Sequence, residues 1–293
     1  PRPISDAFQR VKEATVLDVK LYQDWLVCWE ERRAFFNATG IEDVFIEIPI
    51  LKTATGLDLP MRDFAEVYPT HAANLMKNWS DLSRFVISHA QSLSSNSKLQ
   101  GLLVAASEIE GPPVCQQFLA LRSLPYMLGS YQCVPASKEY PAGWRASIEE
   151  VSASFIGLVR IDLENNEEYE VHVEAEEVKL RELYTKHGVS VGPHLIACGT
   201  NPIKCTYVVI GSHKVRVDGE DSPLRAADLC FKCSAILKVS LCKAAVNVWK
   251  FLESFAYGIP IGRTTSVSKL IELIENRRRI ILEYEGATLL SNE

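Results

Sequence analysis

Apolar side chains recur three and four residues apart at Leu75, Trp79, Leu82, Val86, Ala90 and Leu93, a spacing that predicts an amphipathic helix of about six turns entered from a Thr70 cap. The same period runs through the segments on either side. Leu17, Leu21, Trp25 and Cys28 lead at helical spacing toward Phe35 and Phe36, in a helix that Thr15 and Asp18 would open as a capping box and Gly40 would end. Pro49 breaks the apolar run from Ile41 to Leu51 into a short helix or extended connector, and Asp58 begins another short helix closed by Pro69. Past the polar turn at Ser94 to Ser97, Leu99 to Ile109 is again helical; Gly111-Pro112-Pro113 interrupts it, and Val114 to Leu124 runs up to Pro125. The first 130 residues therefore read as an all-helical domain.

Between Tyr131 and Trp144, Pro135, Pro141 and Gly143 interrupt any period, which marks residues 131–146 as a linker. Beyond it Phe155 to Leu163 is strand-like and Asn165-Asn166 marks a turn. Tyr169, Val171 and Val173 then alternate with Glu170, His172 and Glu174, as in a strand buried on one face, and a helix from Ala175 to His187 follows. Leu195 to Gly199, Cys205 to Ile210 and His213 to Val217 read as three strands, joined by a Thr200-Asn201-Pro202 turn and a tight hairpin at Gly211-Ser212. The run from Cys205 to Ile210 does not alternate, so both of its faces should be covered. Ser222 then caps a helix with Pro223 at its first position, Ala244 to Tyr257 forms another stopped by Gly258 and Pro260, and Ser266 to Arg279 forms the last, with Ile280 to Tyr284 as a further short strand. The predicted class is α+β: a helical domain over residues 1–130, a linker over 131–146, and a mixed sheet packed with helices over 147–293.

Composition narrows the classes of function without choosing one. Of 293 residues, 47% are hydrophobic and 23% charged, which is the balance of a globular chain. A formal net charge of -6 argues against a dominant nucleic-acid surface and leaves only local basic patches. No apolar run reaches the roughly 18 residues of a membrane span, and the N-terminus lacks a signal-peptide pattern. The eight cysteines are too dilute for a disulfide scaffold, and several lie in apolar segments. Together these features predict an intracellular protein, cytoplasmic or nuclear, that does not enter a membrane. The opening on Pro1 suggests processing, tag removal or a piece of something longer.

Candidate chemistry is sparse. Cys230 and Cys233 form a CxxC, with Cys198, Cys205, Cys242, His194 and His213 as further conceivable ligands, but a structural zinc site usually draws on two close pairs. On a helical wheel Cys230, Cys233 and Leu237 share an apolar face, so the expectation is core thiols and no metal. His172 and His213 fall on predicted strands and His89 on a helix, away from any nucleophile elbow or HExxH, and there is no P-loop or GxGxxG. No catalytic residue or cofactor is expected. The acidic clusters at Glu164, Glu167 and Glu168 and at Glu174, Glu176 and Glu177 read as solvated faces. Arg277, Arg278 and Arg279 suit the C-terminal end of a helix, and Arg32 and Arg33 suit pairing with Glu30 and Glu31. These five arginines are also the candidates for an interface or nucleic-acid contact.

The order of several short stretches resembles a set of uncharacterised animal proteins similar to sterile-alpha-motif-domain-containing protein three. They are residues 29–33 (WEERR), 64–69 (FAEVYP), 121–128 (LRSLPYML), 154–156 (SFI), 193–199 (PHLIACG), 207–210 (YVVI), 227–232 (ADLCFK) and 249–252 (WKFL), together with the helix around Trp79. The resemblance covers most of the chain, as a C-terminal module without the sterile alpha motif. It brings no catalytic residues and implies a regulatory or interaction protein. The expected function is a non-enzymatic protein-interaction or scaffold module with a protein partner or self-association. The alternatives are a nucleic-acid-associated regulator using its arginine clusters and an enzyme with a cleft at the domain junction.

Overall fold

Among the described residues helices make up the regular structure up to residue 128 and sheet appears only beyond it, so the α+β class and its order along the chain hold. The computed structural model describes residues 5–93, 95–107, 113–138, 143–163, 166–200, 202–260 and 262–290. The first helices are α1 (Asp6–Glu13), α2 (Val19–Val27), α3 (Trp29–Ala38), α4 (Ile41–Glu47) and, after a 3-10 turn at Pro49–Lys52, α5 (Asp58–Val67). Next come α6 (Asn74–Ser92), α7 (Ser97–Ser107), α8 (Pro113–Leu128), the short strands β1 (Gln132–Val134) and β2 (Trp144–Arg145), and α9 (Ile148–Phe155). The main sheet uses β3 (Ile156–Val159), β4 (His194–Cys198), β5 (Cys205–Ile210) and β6 (His213–Asp218), with α10 (Asn166–Lys186) between β3 and β4. The chain finishes with α11 (Ser222–Ile236), α12 (Val246–Phe251), which runs into a π-helical turn at Leu252–Ala256, and α13 (Thr265–Leu290). Among the described residues no helix is long and apolar enough to cross a membrane.

Two expected strands are helical. Tyr169 to Val173 belongs to α10, where Tyr169, Val173, Glu177, Leu180 and Tyr184 form a buried stripe at steps of three and four. Residues two steps of a strand apart are also one turn of a helix apart, and Val171, 71% exposed, shows which period applies. Ile280 to Tyr284 continues α13, where backbone bonds close locally without the neighbour that a strand requires.

Boundaries moved for local reasons. Cys28 separates α2 from α3 within what reads as one helix, and Asp18 caps α2 itself, its carboxylate accepting from the Leu21 N–H at 2.7 Å. Gly40 occupies the N-cap position of α4, Ala73 that of α6 in place of Thr70, and Asp221 that of α11 in place of Ser222. Pro125 lies inside α8, which ends at Leu128 with Gly129 at φ +72°. The break at Gly111-Pro112, the Asn165 turn position and Asn201 lie outside the described residues. Contacts group the chain into two units that do not follow chain order: Pro1–Ala72 with Ile156–Lys243, and Ala73–Phe155 with Ala244–Glu293. Each unit draws on residues from both sides of the 131–146 segment.

In the first unit the sheet order is β3-β4-β5-β6. β3 and β4 run parallel, with Ile156 opposite Leu195 and Val159 opposite Cys198, so the chain must cross over between them, and α10 makes that crossover. β4, β5 and β6 form an antiparallel meander with a tight turn at Gly211-Ser212, where Gly211 supplies φ +62°. Tyr169 and Val173 of α10 pack on Val159, Ile196, Cys198, Cys205, Tyr207 and Val209. α11 packs on β4 and β5, with the Thr206 and Ser222 hydroxyls 3.0 Å apart. All six residues of β5 are buried, as its lack of alternation predicts. α11 also packs on α5, where the Phe64 and Phe231 rings meet edge to face at 5.9 Å.

The second unit is mainly helical. α6 packs along α8 and α13, Trp79 donates its indole N–H to the Gln117 carbonyl at 3.1 Å, and Phe155 meets Trp249 edge to face at 5.0 Å. Asn74 donates to the Tyr257 carbonyl at 2.8 Å and so ties the start of α6 to the end of the π-helical turn.

Candidate functional site

The five candidate arginines differ in burial and in the groups they bond. Arg32 has 0% exposure: its Nη1 and Nη2 meet the Asp63 carboxylate, and Nε and Nη2 donate to the Trp25 carbonyl at 3.1 and 2.7 Å. Its guanidinium carbon lies 3.8 Å from the centre of the Trp25 ring, whose N–H donates to Asp63 Oδ1 at 3.0 Å. A guanidinium with every nitrogen engaged and no exposed surface is a structural pair, neither a phosphate contact nor a partner for Glu30 and Glu31. Burial pushes the Asp63 carboxyl up, while Arg32 and the Trp25 N–H pull it down. Arg33, by contrast, is exposed. Arg277 donates to Ser88 Oγ at 3.1 Å, Arg278 lies over the Phe85 ring at 5.7 Å, and Arg279 donates to Asn276 at 2.9 Å. Arg32 and Arg33 belong to the first unit and Arg277 to Arg279 to the second.

The CxxC thiols are buried in α11, as the helical wheel predicts, with Cys233 Sγ 3.9 Å from the Leu57 carbonyl. Burial holds the Cys230 and Cys233 thiols far above their ordinary range, so both stay protonated. Among the described residues no three His, Cys, Asp or Glu side chains are grouped to hold a metal ion.

Polar groups do gather in the first unit, beside the N-terminal end of β4. A niche of about 270 Å³ is lined by Glu177, Arg181 and Thr185 of α10, residues 189–192, His194, the 211–212 hairpin turn and Glu42 of α4. Its walls are tied by charge. Glu177, 3% exposed, accepts from Arg181 on one oxygen and from Lys214 at 2.7 Å on the other, while Lys214 also reaches Glu174 at 2.6 Å. Glu42 accepts from the Ser212 N–H at 2.7 Å and from the Ser212 hydroxyl, which fixes the hairpin tip. The 189–192 segment comes close to the connection between α11 and α12, since a Cβ on Gly192 would lie 2.5 Å from Cys242 N.

His194 is the group in this niche whose bonding is incomplete. It is 2% exposed; its Nδ1 lies 3.0 Å from the Gly192 carbonyl, and its Nε2 has no hydrogen-bond partner among the described residues. A carbonyl only accepts, so Nδ1 carries the proton. Burial pushes the ring's pKa down, which leaves it neutral with a lone pair on Nε2. The buried Tyr207 hydroxyl also lacks a partner among the described residues, but it sits in the apolar cluster under α10, and burial pushes its pKa up to about 12. From the sequence His194 is only one of the additional ligands conceivable for the CxxC, and Glu177 belongs to an acidic cluster that reads as a solvated face. Glu177 instead occupies the buried stripe of α10, and an acidic residue in phase with Tyr169, Val173 and Leu180 was the available signal. No protein-family model, no curated protein and no solved structure matches the chain.

Proposed function

We propose that the protein is a non-enzymatic interaction module of regulatory type, and that its recognition point is the niche around His194. The observation that carries this reading is the buried Nε2 acceptor without a partner among the described residues. An acceptor withdrawn from water and left unmet costs about 1–3 kcal/mol, which a ligand supplying the missing donor returns on binding. The ion pairs of Glu177 and the Glu42 bonds to Ser212 hold the surrounding walls in place. The resemblance noted from sequence, which implies a regulatory or interaction protein, agrees with this reading. A base that activates a nucleophile of its own chain accepts that group's proton, whereas Nε2 accepts from no hydroxyl or thiol among the described residues. The enzyme reading retains one supporting observation, the neutral imidazole fixed through Nδ1, which is the form of a general base.

Ligand-observed NMR with a panel of small cationic, anionic and neutral fragments tests the reading on the full chain. At least one fragment should bind the wild type and lose its signal with His194→Phe. Binding that is indifferent to this substitution, or no binding at all, would contradict it, and conversion of a bound fragment would favour the enzyme.

A further inference from the structure

The charges around the niche select among donors. Glu42, Glu177 and Arg181 line it, and behind Glu177 Lys214 also binds Glu174, so three carboxylates are set against two cations. Both cations are already paired: Lys214 is held between Glu174 and Glu177, and Arg181 bonds Glu177. The orphan group is a neutral acceptor, and the carboxylates beside it are acceptors too. An anionic ligand would add its charge to that of the Glu42 and Glu177 carboxylates and bring no donor to Nε2. A neutral hydroxyl would satisfy Nε2 and leave the surplus negative charge as it stands. A group with several N–H donors and one positive charge answers both requirements.

Resting on the reading of the niche as a recognition point, we infer that it takes a protonated amine, with one N–H donated to His194 Nε2 and the charge held by Glu42 and Glu177. The amine belongs either to a small free molecule or to a lysine side chain of a protein.

Calorimetric titration of the full chain tests this with n-butylamine, n-butanol and butyrate, each against the wild type, His194→Phe and Glu42→Gln. Butylamine should bind, butanol and butyrate at least tenfold more weakly, and His194→Phe should cost the amine at least tenfold. Glu42→Gln keeps an acceptor for the Ser212 N–H, removes the charge and leaves the Ser212 hydroxyl to accept from the new amide, so it should weaken the amine roughly threefold while sparing butanol. This variant decides the matter if His194→Phe does not fold. Butanol or butyrate binding as well as butylamine in a His194-dependent way overturns the amine and leaves the niche as a recognition point. If none of the three binds in that way, both fall. A blocked Gly-Lys-Gly peptide and its Nε-acetyl form separate the sources. A peptide tenfold tighter than butylamine, and lost on acetylation, identifies a protein lysine; a peptide no tighter than butylamine identifies a free amine.

Discussion

Two of the polar centres buried in the first unit are finished differently. At Arg32 and Asp63 both charges are out of water, all three guanidinium nitrogens are engaged, and Trp25 supplies a further donor and a ring to stack on. At His194 and Glu177 the carboxylate is equally buried and carries two cations, yet the neighbouring imidazole offers a lone pair that nothing among the described residues meets. A closed centre has no bond left to give a visitor, so its contribution is to fold and specificity. An open one carries a standing cost that binding can remove.

Breaking the closed centre should have the largest effect. Arg32→Met leaves Asp63 buried without its cation, and urea unfolding should show a loss of about 3–5 kcal/mol. Adding Asp63→Leu should restore much of that loss, since the uncompensated charge is then gone. A single-variant loss under about 1 kcal/mol would mean that the pair is not closed as described.

The open centre should respond the other way. His194→Phe keeps a ring of similar size, removes the orphan acceptor and leaves the Gly192 carbonyl without its Nδ1 donor, two changes of about 1–3 kcal/mol each that oppose each other. Stability should move by no more than about 1 kcal/mol while ligand binding disappears. A loss as large as that of Arg32→Met would place His194 among the structural groups instead.

The smallest effect is on pH dependence. Burial holds His89, His194 and His213 below their ordinary range, with Arg277 adding to it at His89 and Glu42 opposing it at His213. The unfolded chain takes up protons from about pH 6.5 downward and the folded chain later, so stability is complete above that pH and declines as pH falls. Glu253 and Asp58, held above their ordinary range by burial, take protons earlier when folded and blunt the decline toward pH 5. Between pH 6.5 and 5.5 the loss from one histidine should approach about 1 kcal/mol, and His194→Phe should flatten the curve. Stability that rises over this interval, or a slope unchanged in the variant, would contradict the assignment.

The same comparison shows what could be read from the chain. The helices of the first 130 residues follow from stripes of three-four spacing, and the burial of β5 follows from a six-residue apolar run without alternation. Both signals are local. Arg32 stands beside Glu30 and Glu31 in sequence, and its actual partner, Asp63, lies on another helix, so tertiary pairing overrode the neighbours. The niche draws on α4, α10, the 189–192 segment, β4 and the β5-β6 turn, which no spacing rule connects. Part of it is legible: a single helix over residues 169–187 places Glu177 on its apolar stripe. The five-residue alternation at Tyr169 to Val173 concealed that phase, because it fits a strand as well as a turn of helix.

The ring state of His194 tests the central claim most directly, through long-range ¹H–¹⁵N correlation spectra of the full chain at neutral pH. The open acceptor requires a neutral ring protonated at Nδ1, with a lone-pair shift at Nε2 that moves when n-butylamine is added. A cationic ring, or a proton on Nε2, would mean that no acceptor faces the niche.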